Sequence, residues 1–246
     1  MQIVGSTRSL WEMTLGQACS QLQDLGFDKC ELWLNDKYDQ LKVADVVANA
    51  ESVIADVRES SRLSPVAIFV DQEVTSAEFE KVVKFGRALR VAQITIVASP
   101  LGTPFNTEID RLRQFNEYCH ETGIRLSILT RRGLLTEDPL TATELCQSVK
   151  GLGITLDPTC YIFRQDPVSW DSVFEHTLHC HLRDCSRMEA QVSCGLGEAD
   201  FNRIAATLES LDYDRCLSVD LLPETMAGEE RLLELRKLRL LLESML

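Results

Sequence analysis

Short apolar runs alternate along the chain with longer stretches in which apolar residues recur every three or four positions. The short runs are QIVGST (2–7), KCELWLN (29–35), PVAIFVD (65–71), QITIVAS (93–99), RLSILTR (125–131), GITLDP (153–158), LHCHLRD (178–184) and RCLSVDLL (215–222). Runs of this length predict buried strands, and the segments between them predict helices. The clearest helical segment is TSAEFEKVVKFGRALR (75–90), where Ala77, Phe79, Val82, Val83, Phe85 and Ala88 share one face. A second is TEIDRLRQFNEYCHETG (107–123). Thr75 and Ser76 are N-cap candidates, and Gly123 and Gly153 are expected to stop helices just ahead of strands.

Strand then helix, eight times over in 246 residues, is the arithmetic of an α/β fold closed as a single (β/α)8 TIM barrel. No linker, charge block or low-complexity tract interrupts it, so residues 1–246 are expected to form one domain. An open doubly wound sheet would want a glycine-rich turn after the first strand, and VGSTRSL holds one glycine. Gly195-Leu196-Gly197 reads as a surface turn, not a phosphate cradle. The last segment, GEERLLELRKLRLLLESML, carries leucine on more than one face, partly for packing and partly, on this reading, for a homo-oligomer contact.

In such a barrel, chemistry collects where strands end, at the C-terminal mouth. Alternation along strand seven turns Leu178, Cys180 and Leu182 to the helices and His179, His181 and Arg183 inward. The same parity points Glu31 and Trp33, Thr155 and Asp157, and Cys216, Ser218 and Asp220 inward. The mouth is thus expected to gather Glu31, Asp157, His181, Asp184 and Asp220. Two readings of that set stand side by side: converging ligands for a divalent cation, or inward polar groups that bond one another and pair with Arg183 and Arg187. The segment TLHCHLRDCSR (177–187) by itself admits a metal site, a redox site or a barrel wall. A zinc set of Cys180, His181, Cys185 and Cys194 is disfavoured, because alternation puts Cys180 opposite His181.

Composition narrows the partners. A net charge of −13 argues against a nucleic-acid footprint, which needs a basic surface. The N-terminus lacks a basic segment followed by a long apolar run, and no window approaches a membrane span, so neither a signal peptide nor a membrane partner is expected. Nine cysteines without framework spacing fit reduced thiols in a cytoplasmic protein. His120 and His176 fall in helical segments and are expected at the surface, and Glu198 reads as a loop acid. Nucleophile-elbow, P-loop and HExxH motifs are absent.

Four stretches carry a family resemblance. LGFDKCELWL (25–34), GITLDPTCY (153–161), LHCHLRDCSR (178–187) and CGLGEADFNRIAATLESLDYDRCLSVDLL (194–222) resemble the second, sixth, seventh and eighth strand regions of the xylose-isomerase-like TIM barrels. That superfamily includes sugar (phosphate) isomerases and epimerases, inosose dehydratases and endonuclease IV type apurinic endonucleases. The resemblance implies a divalent metal (manganese, magnesium, cobalt or zinc) held by a glutamate, an aspartate, a histidine and a second glutamate from strands five to eight. Carried over, the aspartate is Asp157 and the histidine His181, while the second glutamate falls on Asp220, one methylene shorter. The first glutamate falls on Thr130, which cannot move a proton near neutral pH, and Arg131 and Arg132 follow it. Cys160 stands where relatives often place a histidine.

The metal set implied is therefore Asp157, His181 and Asp220, with Asp157 and Asp220 also catalytic. Glu31, Trp33, Arg131, Arg132, Cys160, Arg183 and Arg187 are the implied substrate-binding residues. The activity implied is that of a sugar or sugar-phosphate isomerase/epimerase moving a proton next to a carbonyl. The alternative is a degenerate barrel without metal that binds a small polyol or anion, with Arg131 or Arg132 turned inward to neutralise Asp157 and Asp220. An endonuclease comes third, because relatives of that kind use more histidines than the four present.

Overall fold

Each apolar run becomes one strand: β1 Gln2–Ser6, β2 Lys29–Leu34, β3 Ser64–Val70, β4 Gln93–Val97, β5 Arg125–Leu129, β6 Gly153–Leu156, β7 Thr177–Leu182 and β8 Cys216–Val219. The computed structural model describes residues 1–60 and 62–246. All neighbouring strands are parallel, and β1 closes on β8 through Gln2–Cys216 to Gly5–Val219, so the sheet is a closed barrel in sequence order. Outside it lie α1 Leu15–Asp24, α2 Val43–Ser60, α3 Ser76–Leu89, α4 Phe105–Thr122, α5 Pro139–Ser148, the single turn α6 Thr159–Ile162, α7 Phe201–Ser210 and α8 Gly228–Glu243. This is a single (β/α)8 TIM barrel, as the alternation predicts.

The helix signals act where they were read, with one exception. Thr75 caps α3 through a reciprocal box: its hydroxyl accepts from Glu78 N–H, and the Glu78 carboxylate accepts from Thr75 N–H at 2.7 Å. Gly123 ends α4 at φ +75°. Gly153, in contrast, does not stop a helix. α5 ends at Ser148, and Gly153 opens β6, where a Cβ would stand 2.2 Å from Leu178 Cγ and 2.9 Å from the His176 carbonyl. It is a close-approach glycine between neighbouring strands.

Most of the core lies between sheet and helices, and includes Leu32, Ile68, Ile94, Phe79, Phe85 and Phe115. Cys180 is fully buried in that layer, on the side opposite its histidine neighbours. A smaller apolar cluster, Trp33, Phe69, Val97 and Leu129, lies apart from it. Along α8, Leu235, Leu238 and Leu242 are buried while Leu233 and Leu240 are about half exposed. Among the described residues, no helix is long and apolar enough to cross a membrane.

Candidate functional site

The barrel interior holds a chain of polar and ionisable groups running up from β7. His179, at the lower level, sets Nε2 2.9 Å from Ser218 Oγ and 3.2 Å from Glu31 Oε1. One step up, His181 Nε2 lies 3.0 Å from both oxygens of Glu31, its hydrogen bond going to Oε1. The other ring nitrogen, Nδ1, stands 3.6 Å from Asp220 Oδ2. All five side chains are fully buried. Burial alone would raise the Glu31 carboxyl, but His181 and His179 outweigh it and hold it well below the usual range. Burial would likewise lower His181, and the charges of Glu31 and Asp220 overcome that to raise it.

Above this chain come the arginines. Arg183 Nη2 donates to Asp157 Oδ2 at 2.5 Å, and its Nη1 donates to the Asp220 carbonyl at 3.2 Å. Arg8, from the turn after β1, donates to Asp220 Oδ2 at 2.7 Å. Burial would raise Asp220, but Arg8, His181 and Arg183 together hold it down. Arg131 turns in and donates to Asp71 at 2.6 Å, and Trp33 Nε1 donates to the other oxygen of that acid at 3.0 Å. The Phe69 ring sits among three of these groups, with the guanidinium carbons of Arg8 and Arg131 at 5.9 and 5.6 Å and the His181 ring edge-on at 5.0 Å.

Charge bookkeeping within this cluster is informative. Four carboxylates (Glu31, Asp71, Asp157 and Asp220) meet three guanidiniums (Arg8, Arg131 and Arg183), and a protonated His181 makes the balance even. With His181 in that form the cluster carries no net charge without any ion.

A cavity of about 190 Å³ opens over the arginines, lined by Arg8, Thr130, Arg131, Arg132, Asp157, Thr159, Cys160, Phe163, Arg183 and Leu222. Five residues singled out from sequence therefore meet there: Arg131, Arg132, Asp157, Cys160 and Arg183. Burial pushes the Cys160 thiol far up, which makes it a wall and not a nucleophile. Arg132 lies along the outer edge, its guanidinium over the Phe163 ring and donating to the Phe163 carbonyl at 2.9 Å. A second hollow of about 510 Å³ adjoins at Arg132 and Phe163, and Arg187 lines that one while pairing with Glu198 at 3.3 Å. Glu31, Trp33, His181 and Asp220 lie outside the cavity lining. Asp184 leaves the mouth altogether: it accepts from the N–H groups of Cys185, Gly195, Gly197 and Ala199, and so pins the loop after β7. A Cβ at Gly197 would stand 1.9 Å from Asp184 Oδ1, so that glycine serves this clamp.

Asp157, His181 and Asp220 do not fit a divalent ion as they stand. Both oxygens of Asp157 are engaged, one by Arg183 and one by Thr159 N–H at 3.0 Å, and Asp220 Oδ2 is taken by Arg8. The Thr130 hydroxyl accepts from Asp157 N–H and donates to the Asp157 carbonyl, so it replaces the missing glutamate with a backbone clamp. A dication would enter beside two fixed guanidiniums. A different trio, Glu31, His179 and His181, does present one ligand atom each within 4.8 Å of one another. Two imidazoles and one carboxylate are a zinc-like donor set, placed under the cavity and not in it.

Arg8 and Asp71 were not singled out from sequence. The available signal was positional: Asp71 follows directly on β3 and Arg8 stands two residues past the end of β1, both at the mouth side of the barrel.

The fold is a TIM barrel similar to those of solved xylose-isomerase-like proteins. Among solved structures, a D-tagatose 3-epimerase-like protein superposes with TM-score 0.77 at 14% identity, over 100% of this chain and 98% of that one. A xylose isomerase-like TIM barrel protein from Mycobacterium smegmatis, in complex with magnesium, gives 0.76 at 13%, over 100% and 98%. The probable 3-DHS dehydratase AsbF from Bacillus anthracis, involved in petrobactin synthesis, gives 0.71 at 14%, over 99% of both chains. No family model and no curated protein sequence matches the chain. At these identities the likeness is one of architecture, and the side chains must speak for the chemistry.

Proposed function

We propose that the protein binds a small anionic polyol, a sugar acid or sugar phosphate, at the mouth of its barrel without an intrinsic metal. The observation that carries this reading is the pairing of Asp157 with Arg183 and of Asp220 with Arg8. Guanidiniums stand against the acids that a cation would otherwise need. Arg132 borders the cavity with no carboxylate partner among the described residues, which leaves one uncompensated positive charge for the ligand. A planar guanidinium suits a carboxylate or phosphate end group, and Thr130, Thr159 and the apolar Phe163 and Leu222 suit a polyol body. Nine free thiols suit a reducing, cytoplasmic setting.

The second reading is a sugar or sugar-phosphate isomerase/epimerase, with proton transfer next to a carbonyl. It draws on the shared architecture with an epimerase-like protein and on the Glu31–His179–His181 trio. A divalent ion there would supply Lewis acidity; the chain's own part would be to hold substrate with Arg131, Arg132 and Arg183. Asp157 and Asp220 are the acids that this reading offers for the proton, and both are tied to arginines.

One measurement separates the two. Metal content is determined on protein purified without chelators and on His181→Ala, and ribose 5-phosphate and ribose are titrated calorimetrically into each. The first reading expects substoichiometric metal in both proteins and binding of the phosphate ester alone. One ion per chain that is lost in the variant, with turnover of an aldose or ketose, would replace it with the second.

A further inference from the structure

The barrel has another hollow, at the end opposite the mouth. Gln93, Arg125 and Cys216 open β4, β5 and β8, and together with His179, Asp214 and Arg215 they line a cavity of about 170 Å³. This end of a (β/α)8 barrel ordinarily serves stability, and its groups are expected to satisfy one another. Here they do not. Gln93 Oε1, His179 Nδ1 and Arg215 Nε are all buried without a hydrogen-bond partner, and Gln93 and His179 are themselves more than nine-tenths buried. Each such atom costs about 1–3 kcal/mol if nothing meets it.

The polarity of each orphan can be assigned. Gln93 Nε2 donates to Ser127 Oγ at 2.5 Å and to the Ile94 carbonyl at 3.2 Å, so its amide orientation is fixed and Oε1 remains an acceptor. His179 Nε2 donates toward a Glu31 carboxylate oxygen at 3.2 Å, and in the tautomer that this contact selects the ring's free lone pair is on Nδ1. Arg215 Nε is a donor. Two permanent cations border the hollow, Arg125 and Arg215, and among the described residues neither makes an ion pair with Asp214 or any other acid. The lining thus offers two guanidiniums, one of them with an unmet Nε–H, and two unmet acceptors, Gln93 Oε1 and His179 Nδ1.

We infer that this cavity is a second small-molecule site, separate from the mouth, for an oxyanion that also bears an O–H group, of the hydrogen-phosphate type. Its charged oxygens meet Arg125 and Arg215, and its O–H donates to His179 Nδ1 or Gln93 Oε1. Water is the competing occupant, since about 170 Å³ holds roughly five or six molecules at ~30 Å³ each.

The test follows the histidine ring nitrogens by NMR while inorganic phosphate is titrated against chloride, at fixed pH and ionic strength. The expected result is a saturable change at His179 Nδ1 that persists in the mouth variant Arg132→Gln. Loss of a charge-assisted contact should weaken it about tenfold or more in Arg125→Gln and in Arg215→Gln. Arg125 is exposed and makes no side-chain hydrogen bond or ion pair among the described residues, so its variant decides the matter if Arg215→Gln does not fold. A His179 signal that ignores phosphate, or one that responds with unchanged affinity in Arg125→Gln, would assign the hollow to water.

Discussion

Between β4 and β6 the barrel interior buries polarity as neutral hydroxyls. Thr95 Oγ1 lies 2.8 Å from Thr155 Oγ1, which lies 2.5 Å from Ser127 Oγ, so the three side chains satisfy one another. Across the barrel, β2, β7 and β8 bury Glu31, His179, His181 and Asp220 instead. That side leaves Glu31 Oε2, His179 Nδ1, His181 Nδ1 and Asp220 Oδ1 without hydrogen bonds. Both sides are equally dry, yet only one closes on itself. A hydroxyl can be donor and acceptor at once and adapts to its neighbour, whereas a carboxylate only accepts and needs a cation of fixed position. The neutral half is satisfied within itself, while the charged half keeps carboxylate oxygens and ring nitrogens unmet.

The largest expected effect breaks the charged half. Glu31→Ala strands a fully buried His181 without its main carboxylate partner, and should cost about 3–5 kcal/mol in urea-unfolding free energy. A loss near that of a surface substitution would show that the buried charges do not depend on one another. In the neutral half, Thr155→Val should cost less, about 1–3 kcal/mol, by orphaning its two hydroxyl neighbours. Adding Ser127→Ala should recover part of that loss, which calorimetric melting of the double variant would reveal. At the mouth, Arg132→Gln should leave folding intact and weaken ribose 5-phosphate binding about tenfold, ~1.4 kcal/mol.

The smallest effect is a dependence on pH. Because the folded His181 is raised above 6.5, the stability it contributes is complete below that pH and declines as the pH rises through the raised value. Glu31 runs the other way: held well below its ordinary 4.5, it contributes fully above 4.5 and less as the pH falls. Stability should therefore peak between 4.5 and 6.5, and His181→Asn should remove the alkaline decline when the urea midpoint is followed against pH.

Strand alternation carried the reading of the interior a long way. It turned His179, His181, Arg183, Asp157 and Asp220 inward from one-dimensional parity, because a parallel barrel strand leaves each side chain only two directions. Alternation says nothing about height along the barrel axis or about partners supplied from another strand. Hence Glu31, expected at the mouth, lies beneath it between two histidines, and Arg8 supplies a contact to Asp220 across 212 positions of chain. Asp184 escaped for a different reason. Four backbone N–H groups from a loop of irregular shape converge on it, and such loops have no period to read. Gly153 resembles a helix stop in sequence because packing against Leu178 leaves no trace there.

Phe69 gives this arrangement a property that no ionic pairing provides. Its face is electron-rich, and Arg8 and Arg131 both lie within reach of it while His181 meets the same ring. A hydrocarbon therefore serves as common ground for like charges that would otherwise repel, and it does so without offering a proton or a ligand atom. Exchanging it for leucine would preserve bulk and burial but withdraw the quadrupole, leaving Arg8 and Arg131 held only by their carboxylate partners Asp220 and Asp71.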